Sequence, residues 1–232
     1  MRRFQGLTPL IVVDGPAASG KSTLARRLAE ILGLPFFSTG AMYRAVTLEA
    51  MRRQIRLTDR RALVRIARRL RLKFRGNRWP SPMKIMCGGR DISGELDAPE
   101  ISRNTSTFIA NVPEVRRAIV EATRTHLTAR GLVAEGRDCG SVIFPSAQWK
   151  FFMSSSFKAR AYRRWKDLRR AGHRVSLKSL LDDMERRDRE DRTRPKGALV
   201  AMNDAWMIDN SNLEQEETLR LMLGRIDPGA VV

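Results

Sequence analysis

One stretch near the start of the chain constrains its fold more than any other. Leu10-Ile11-Val12-Val13 reads as a buried strand, and Gly15-Pro16-Ala17-Ala18-Ser19-Gly20-Lys21-Ser22-Thr23 follows it directly. The pattern G-x-x-x-x-G-K-S then opens a helical stretch from Ser22 to Leu32. Strand, glycine-rich turn and helix N-terminus in that order form a phosphate-binding loop. Its glycines let the backbone curl so that several N–H groups point at one polyphosphate. The helix adds unpaired N–H groups and positive dipole at the same spot. Lys21 is placed to reach β- and γ-phosphates, and the Ser22 hydroxyl to hold Mg²⁺.

A buried parallel strand needs partners, and the rest of the chain supplies them. Gly33-Leu34-Pro35 ends the first helix, and Phe36-Phe37 reads as a short strand closing on Ser38-Thr39-Gly40. A helix follows to about Arg53, with Tyr43 and Arg44 in its first turn. Leu132-Val133-Ala134, Trp149 to Met153 and Ala205 to Asp209 are further strands, each followed by a helical pattern or a charged turn. Alternation of this kind predicts an α/β fold, a parallel sheet with helices on both faces.

One segment departs from it. Asp59 to Arg69 is an amphipathic helix with Leu63, Ile66, Ala67 and Leu70 on one side and Arg61, Arg65, Arg68 and Arg69 on the other. Leu70 to Arg75 alternates strictly, Gly76-Asn77 turns the chain, and Met83 to Met86 returns. We read 57–98 as an inserted β-containing subdomain between core segments 1–56 and 99–156. A helical lid is expected over 157–195 and the last core strand and helix over 196–232. His126 and His173 have no partner motif.

With 232 residues, 42% of them apolar, the chain can bury a sizeable core. Its net charge of +19 favours anionic partners without choosing among nucleotides, nucleic acid and an acidic membrane. No apolar run approaches the ~20 residues of a membrane span, and Gly6 and Pro9 break the apolar start, so no signal peptide is expected. Cys87 and Cys139 have no metal-ligand spacing and read as reduced thiols of a cytoplasmic protein.

A phosphate loop alone leaves many activities open. Arg44, Arg137, Arg160, Arg163, Arg187 and Arg194 add cations in separate segments. Phosphoryl transfer between two anions needs cations on both sides of the moving group, so these point to a phosphorylated acceptor and a mobile lid.

Four motifs stand in one order: Gly15 to Thr23, Ser38-Thr39-Gly40-Ala41-Met42-Tyr43-Arg44, Glu135-Gly136-Arg137-Asp138, and Arg187-Asp188-x-x-Asp191-x-x-Arg194. In order and spacing the chain resembles bacterial cytidylate kinases, from about Leu10 to Leu223. The resemblance implies transfer of the γ-phosphoryl group of MgATP to CMP or dCMP. It implies that Gly15 to Thr23 hold ATP, with Ser22 and, through water, Glu135 on Mg²⁺. Thr39, Arg44, Arg137, Arg187 and Asp191 would engage the acceptor's phosphate or sugar. Thr107, Arg116 and Asp138 would read cytosine, and Arg160, Arg163 and Arg194 would close over the transferring group. Two positions depart from the family's usual residues: Ser38, often Asp, and Ala18, often Gly. Ala18 fits only with negative φ or with modest strain. A monomer is expected, with no membrane and no sequence-specific nucleic-acid partner. The alternatives are a related kinase for another acceptor, such as UMP, and a nucleotide-switched RNA-binding protein. Surface aromatics interleaved with the charge, the mark of such a protein, are not evident in the sequence.

Overall fold

The computed structural model describes residues 8–74, 83–127, 131–172 and 174–227. In chain order, β1 (Leu10–Asp14) is followed by the phosphate loop and α1 (Lys21–Leu32). Next come β2 (Phe36–Ser38), α2 (Thr39–Arg52) and α3 (Arg60–Arg69), the last capped by Asp59, whose carboxylate accepts the Ala62 N–H. β3 (Leu70–Phe74), β4 (Met83–Cys87) and β5 (Arg90–Asp91) lead to α4 (Pro99–Asn104). A π-helical turn, Thr105–Ile109, precedes α5 (Pro113–Leu127). β6 (Leu132–Gly136), a second π-helical turn at Cys139–Ile143 and β7 (Trp149–Ser154) follow. The chain then runs through α6 (Phe157–Arg170), α7 (Leu177–Thr193), β8 (Trp206–Asp209) and α8 (Gln215–Ile226). Ser156 and Ser176 cap α6 and α7 with side-chain bonds to backbone N–H groups. The turn expected at Gly76-Asn77, His173 and the His126 side chain lie outside the described residues.

The chain forms two compact units. One gathers Ala29–Glu135 with the start of β1. In it β2 and β6 pair in parallel, Ser38 opposite Glu135, so both strand ends deliver polar side chains to one edge. The segment read as an insertion contains an antiparallel sheet, β3-β4-β5, in register Leu70 with Cys87 and Cys87 with Arg90. Leu63 and Ile66 of α3, Leu70 of β3, and Val115 and Ile119 of α5 are buried, and α3 packs on α2 and α5. Gly131 admits nothing larger: at φ +79°, a Cβ would sit 2.8 Å from the Pro9 ring.

The other unit gathers Ile11–Leu28 and the chain from Gly136 onward. Here β1, β7 and β8 run parallel, Asp14 opposite Phe152 and Ser154 opposite Asp209. Ile11, Val12, Val13 and Phe151 are buried, as befits strands covered on two sides. The expected parallel α/β core is present. Among the described residues no helix is long and apolar enough to cross a membrane.

Candidate active site

The phosphate loop begins where β1 ends. A Cβ on Gly15 would lie 2.6 Å from the Met153 carbonyl oxygen, so the close approach of β7 demands glycine. Ala18 sits at φ +59°, in the left-handed region, and therefore takes the strained option at about 1–2 kcal/mol. Lys21 is buried, and its Nζ donates to the Pro16 carbonyl at 3.1 Å, across the loop it serves. Ser22 and Thr23 are exposed in the first turn of α1, which carries no acidic residue. The Ser19 Oγ is buried without a hydrogen-bond partner among the described residues, the kind of orphan that a phosphate oxygen satisfies.

Two arginines of α6 brace this loop. Arg160, 2% exposed, donates to the Ala17 carbonyl at 3.2 Å and grips Asp188 of α7 through both terminal nitrogens, at 3.1 and 2.6 Å. Arg163 donates to the Asn210 side-chain oxygen at 3.3 Å. Asn210 in turn donates to the Ser19 carbonyl at 2.9 Å, so loop, α6 and the residue after β8 form one network. The inner face of α6 packs Phe157, Trp165 and Leu168 with Leu180 and Met184 of α7, and Ala18 joins that cluster.

Beyond β6 the same unit holds a second cationic group. Asp191 accepts from Arg137 Nε at 2.6 Å and from Arg194 Nη2 at 2.7 Å. Burial pushes its carboxyl up, but Arg137, Arg187 and Arg194 outweigh burial and hold it well below the usual carboxylate range. Asp14 fixes the neighbouring backbone: its two oxygens accept the Cys139 and Gly140 N–H groups at 2.9 and 2.8 Å. Burial, against the pull of the two N–H bonds and with a smaller push from Asp138, raises Asp14 to about 6. Asp138 is itself buried.

The remaining expected residues lie in the first unit. The Thr39 hydroxyl donates to the Glu135 carbonyl at 3.0 Å, and Ser38 bonds the Glu135 carboxylate. Arg44 reaches Asp97 at 3.3 Å, while its buried Nε has no acceptor among the described residues. Arg116 is buried, donates to the Ala110 carbonyl at 3.2 Å and lies 5.2 Å over the Tyr43 ring. A planar guanidinium backed by an aromatic ring is preorganised for hydrogen bonding in one plane. Thr107 is exposed in the π-helical turn, whereas the nearby Thr105 is buried and bonded to Ile101 and Thr47.

The family model for cytidylate kinase matches residues 11–227. The chain belongs to the cytidylate kinase family. It is 38% identical over 213 residues to the cytidylate kinase of Caldanaerobacter subterraneus subsp. tengcongensis, covering 92% of each chain. Similarity to the cytidylate kinase of Pelotomaculum thermopropionicum is 38% over 225 residues, 95% of this chain and 97% of that one. The Serratia proteamaculans cytidylate kinase is 36% identical, with 93% of each chain covered. Among solved structures, a gluconokinase from Sinorhizobium meliloti aligns over 96% of this chain and 94% of its own, at 19% identity and TM-score 0.48.

Family membership makes this chain an enzyme, a nucleoside monophosphate kinase. The structure gathers Lys21, Arg137, Arg160, Arg163, Arg187, Asp191 and Arg194 in one unit and Thr39, Arg44, Thr107, Arg116 and Glu135 in the other. It adds residues with no role assignable from sequence alone: Asp14, Asp188, Asn210 and Tyr43. Asp14 had a visible signal, an acid at the end of an apolar strand, directly before the loop glycine. Asn210 had none, because its partners lie far away in the chain.

Proposed function

We propose that this enzyme transfers the γ-phosphoryl group of MgATP to CMP or dCMP, giving ADP and CDP or dCDP. The observation that carries the reading is Asp191, one buried carboxylate on which the guanidiniums of Arg137 and Arg194 are fixed. Fixed cations of this kind, in a unit that already carries a phosphate loop, suit a second phosphate as acceptor.

Gly15, Pro16, Ala17, Ala18, Ser19, Gly20, Lys21, Ser22 and Thr23 hold the ATP phosphates in this reading. Arg44, Arg137 and Arg187 hold the CMP phosphate with Thr39, while Asp191 keeps the arginines oriented and faces the sugar. Arg116 and Asp138 offer a donor fork and a carboxylate, which match the ring acceptors and exocyclic amine of cytosine; Thr107 adds a hydroxyl. An oxygen of the acceptor phosphate bonds to the γ-phosphorus as the bond to the bridging oxygen breaks, and ADP keeps that oxygen. The attacking oxygen is already anionic, so catalysis is positioning and charge stabilisation without a required general base. Arg160, Arg163 and Arg194 compensate the negative charge of the transferring group and exclude water when the lid closes.

Kinases of this type typically need a divalent metal. Among the described residues no group of three or more His, Cys, Asp or Glu side chains is placed to hold one. That suits Mg²⁺, which is bound through substrate phosphates and water with few protein ligands. Ser22, exposed in the first turn of α1, and Glu135, through water, are the residues that would hold it; once bound, the ion would offset negative charge on the phosphates. We place the reaction in the cytoplasm, carried out by a monomer.

A coupled assay with CMP, dCMP, UMP and AMP tests the reading. Cytidine nucleotides should give the highest kcat/KM, and equal rates with UMP or AMP would overturn the substrate assignment. Arg137→Ala should raise the CMP KM and lower kcat, together by roughly 100-fold in kcat/KM.

A further inference from the structure

α6 has a second face that the chemistry does not use. Its inner side is committed: Arg160 and Arg163 brace the phosphate loop, and Phe157, Trp165 and Leu168 pack with α7. On the outer side Lys158, Tyr162, Lys166 and Arg169 follow one another at intervals of three and four residues, so they form a continuous stripe. From Lys158 to Arg169 the stripe is about 16 Å long.

Tyr162 is 59% exposed, an unusual position for a large ring. It stacks with Trp165, ring centroids 6.3 Å apart and planes 26° from parallel. Lys166 Nζ lies 5.3 Å from the Tyr162 centroid, and the Arg169 guanidinium lies 4.9 Å from that of Trp165. Aromatic rings and cations therefore alternate along the helix. The helix carries seven Lys or Arg residues and a single acid, Asp167, on a chain whose net charge is +19.

We propose that the outer face of α6 binds single-stranded nucleic acid without sequence preference. Bases stack on Tyr162, while Lys158, Lys166 and Arg169 neutralise the phosphates on either side. Charge complementarity demands a polyanion, and the exposed ring selects one with flat, unpaired bases. An acidic peptide would use the cations and leave the ring idle. A membrane surface would need a broad apolar face, whereas this one carries a single ring between charges. None of the four outer residues belongs to the nucleotide sites proposed above, so nucleic-acid binding and phosphoryl transfer are separable.

The test is fluorescence anisotropy of a labelled ten-residue oligo-U RNA against the full chain over a range of salt concentrations. Tyr162→Ala should weaken binding roughly tenfold with little change in salt slope, and Tyr162→Phe should restore it. The triple variant Lys158→Gln, Lys166→Gln, Arg169→Gln should make the slope shallower by about 2. Arg61→Gln, Arg65→Gln, Arg68→Gln on α3 removes the same charge from another helix and should change the slope much less. CMP phosphorylation should persist in all of them, which reports that the fold is intact. Loss of slope in the α3 variant equal to that in the α6 triple would overturn the proposal, leaving only net charge. So would tighter binding of a duplex of the same length, indifference to Tyr162, or failure of Phe to replace Tyr. Equal, Tyr162-dependent binding of vesicles of anionic phospholipid would assign the face to membranes and overturn it as well.

Discussion

Arginines on α3 and arginines around α7 are the same side chain in opposite circumstances. On α3 Arg61, Arg65, Arg68 and Arg69 are exposed, and the helix is held by its other face, where Ala62, Leu63, Ile66 and Ala67 are buried. Around α7, Arg160 and Arg194 are 2% and 7% exposed, each held by an aspartate. A buried guanidinium is tolerable only with a fixed counter-charge and filled hydrogen bonds. Asp188 and Asp191, three residues apart on one helix, supply that counter-charge, and with it a fixed direction for each arginine. An arginine given a direction can act on one phosphate, whereas the solvated ones of α3 contribute only to the field around the molecule.

That difference can be broken from its strongest side first. Asp188→Asn leaves Arg160 buried opposite a neutral amide and should destabilise the fold by about 3 kcal/mol, read from the urea midpoint. The double variant Arg160→Met, Asp188→Leu should recover most of that stability while phosphorylation stays poor, separating the packing of the pair from its use. Next, Asp191→Asn should lower kcat/KM for CMP about 100-fold by releasing Arg137 and Arg194 together. Because the Asp191 carboxyl is held below its ordinary value of 3.8, the stability it contributes is fully present above that pH. It is lost only as pH falls through the depressed value. Thermal melts should therefore show a constant gap between wild type and Asp191→Asn from neutral pH down to about 4, closing in stronger acid.

Asp14→Asn should act more gently, costing about tenfold in kcat/KM, since one of two N–H bonds to the turn after Asp138 is lost. Here the sign is reversed. Asp14 is raised from 3.8 to about 6, so its contribution is full below the lower value and lost as pH rises through the upper one. The asparagine variant should flatten the stability profile across that window. Smallest of all, replacing Arg61, Arg65 and Arg68 with Gln should change stability by no more than about 0.5 kcal/mol. Unchanged kcat/KM for CMP would agree with a solvated face; a large loss would mean that α3 does more than carry charge.

Much of this organisation is written in local sequence. The phosphate loop, the alternation of Leu70 to Phe74 and the caps at Asp59, Ser156 and Ser176 depend on neighbours within a few residues, and the structure follows them. Ala18 was legible as a problem but not as a solution, because nothing nearby in sequence says that the loop holds it at positive φ. The π-helical turns at Thr105–Ile109 and Cys139–Ile143 leave no signature, since one extra residue in a turn alters neither composition nor period. Runs such as Glu185-Arg186-Arg187-Asp188 say that charges are present but not which arginine meets which carboxylate. That is decided by tertiary packing, as are Asp14 on the turn after Asp138 and Arg116 over Tyr43.

The bond from Asn210 to the Ser19 carbonyl spans 191 residues of sequence, and that from Arg160 to the Ala17 carbonyl spans 143. The loop is thus synthesised well before the residues that complete it. A nascent chain on the ribosome holds Gly15 to Thr23 without the residues that brace them until those distant segments have been made. Its affinity for nucleotide should arrive late and abruptly, once the strand before Asn210 has emerged and joined the sheet.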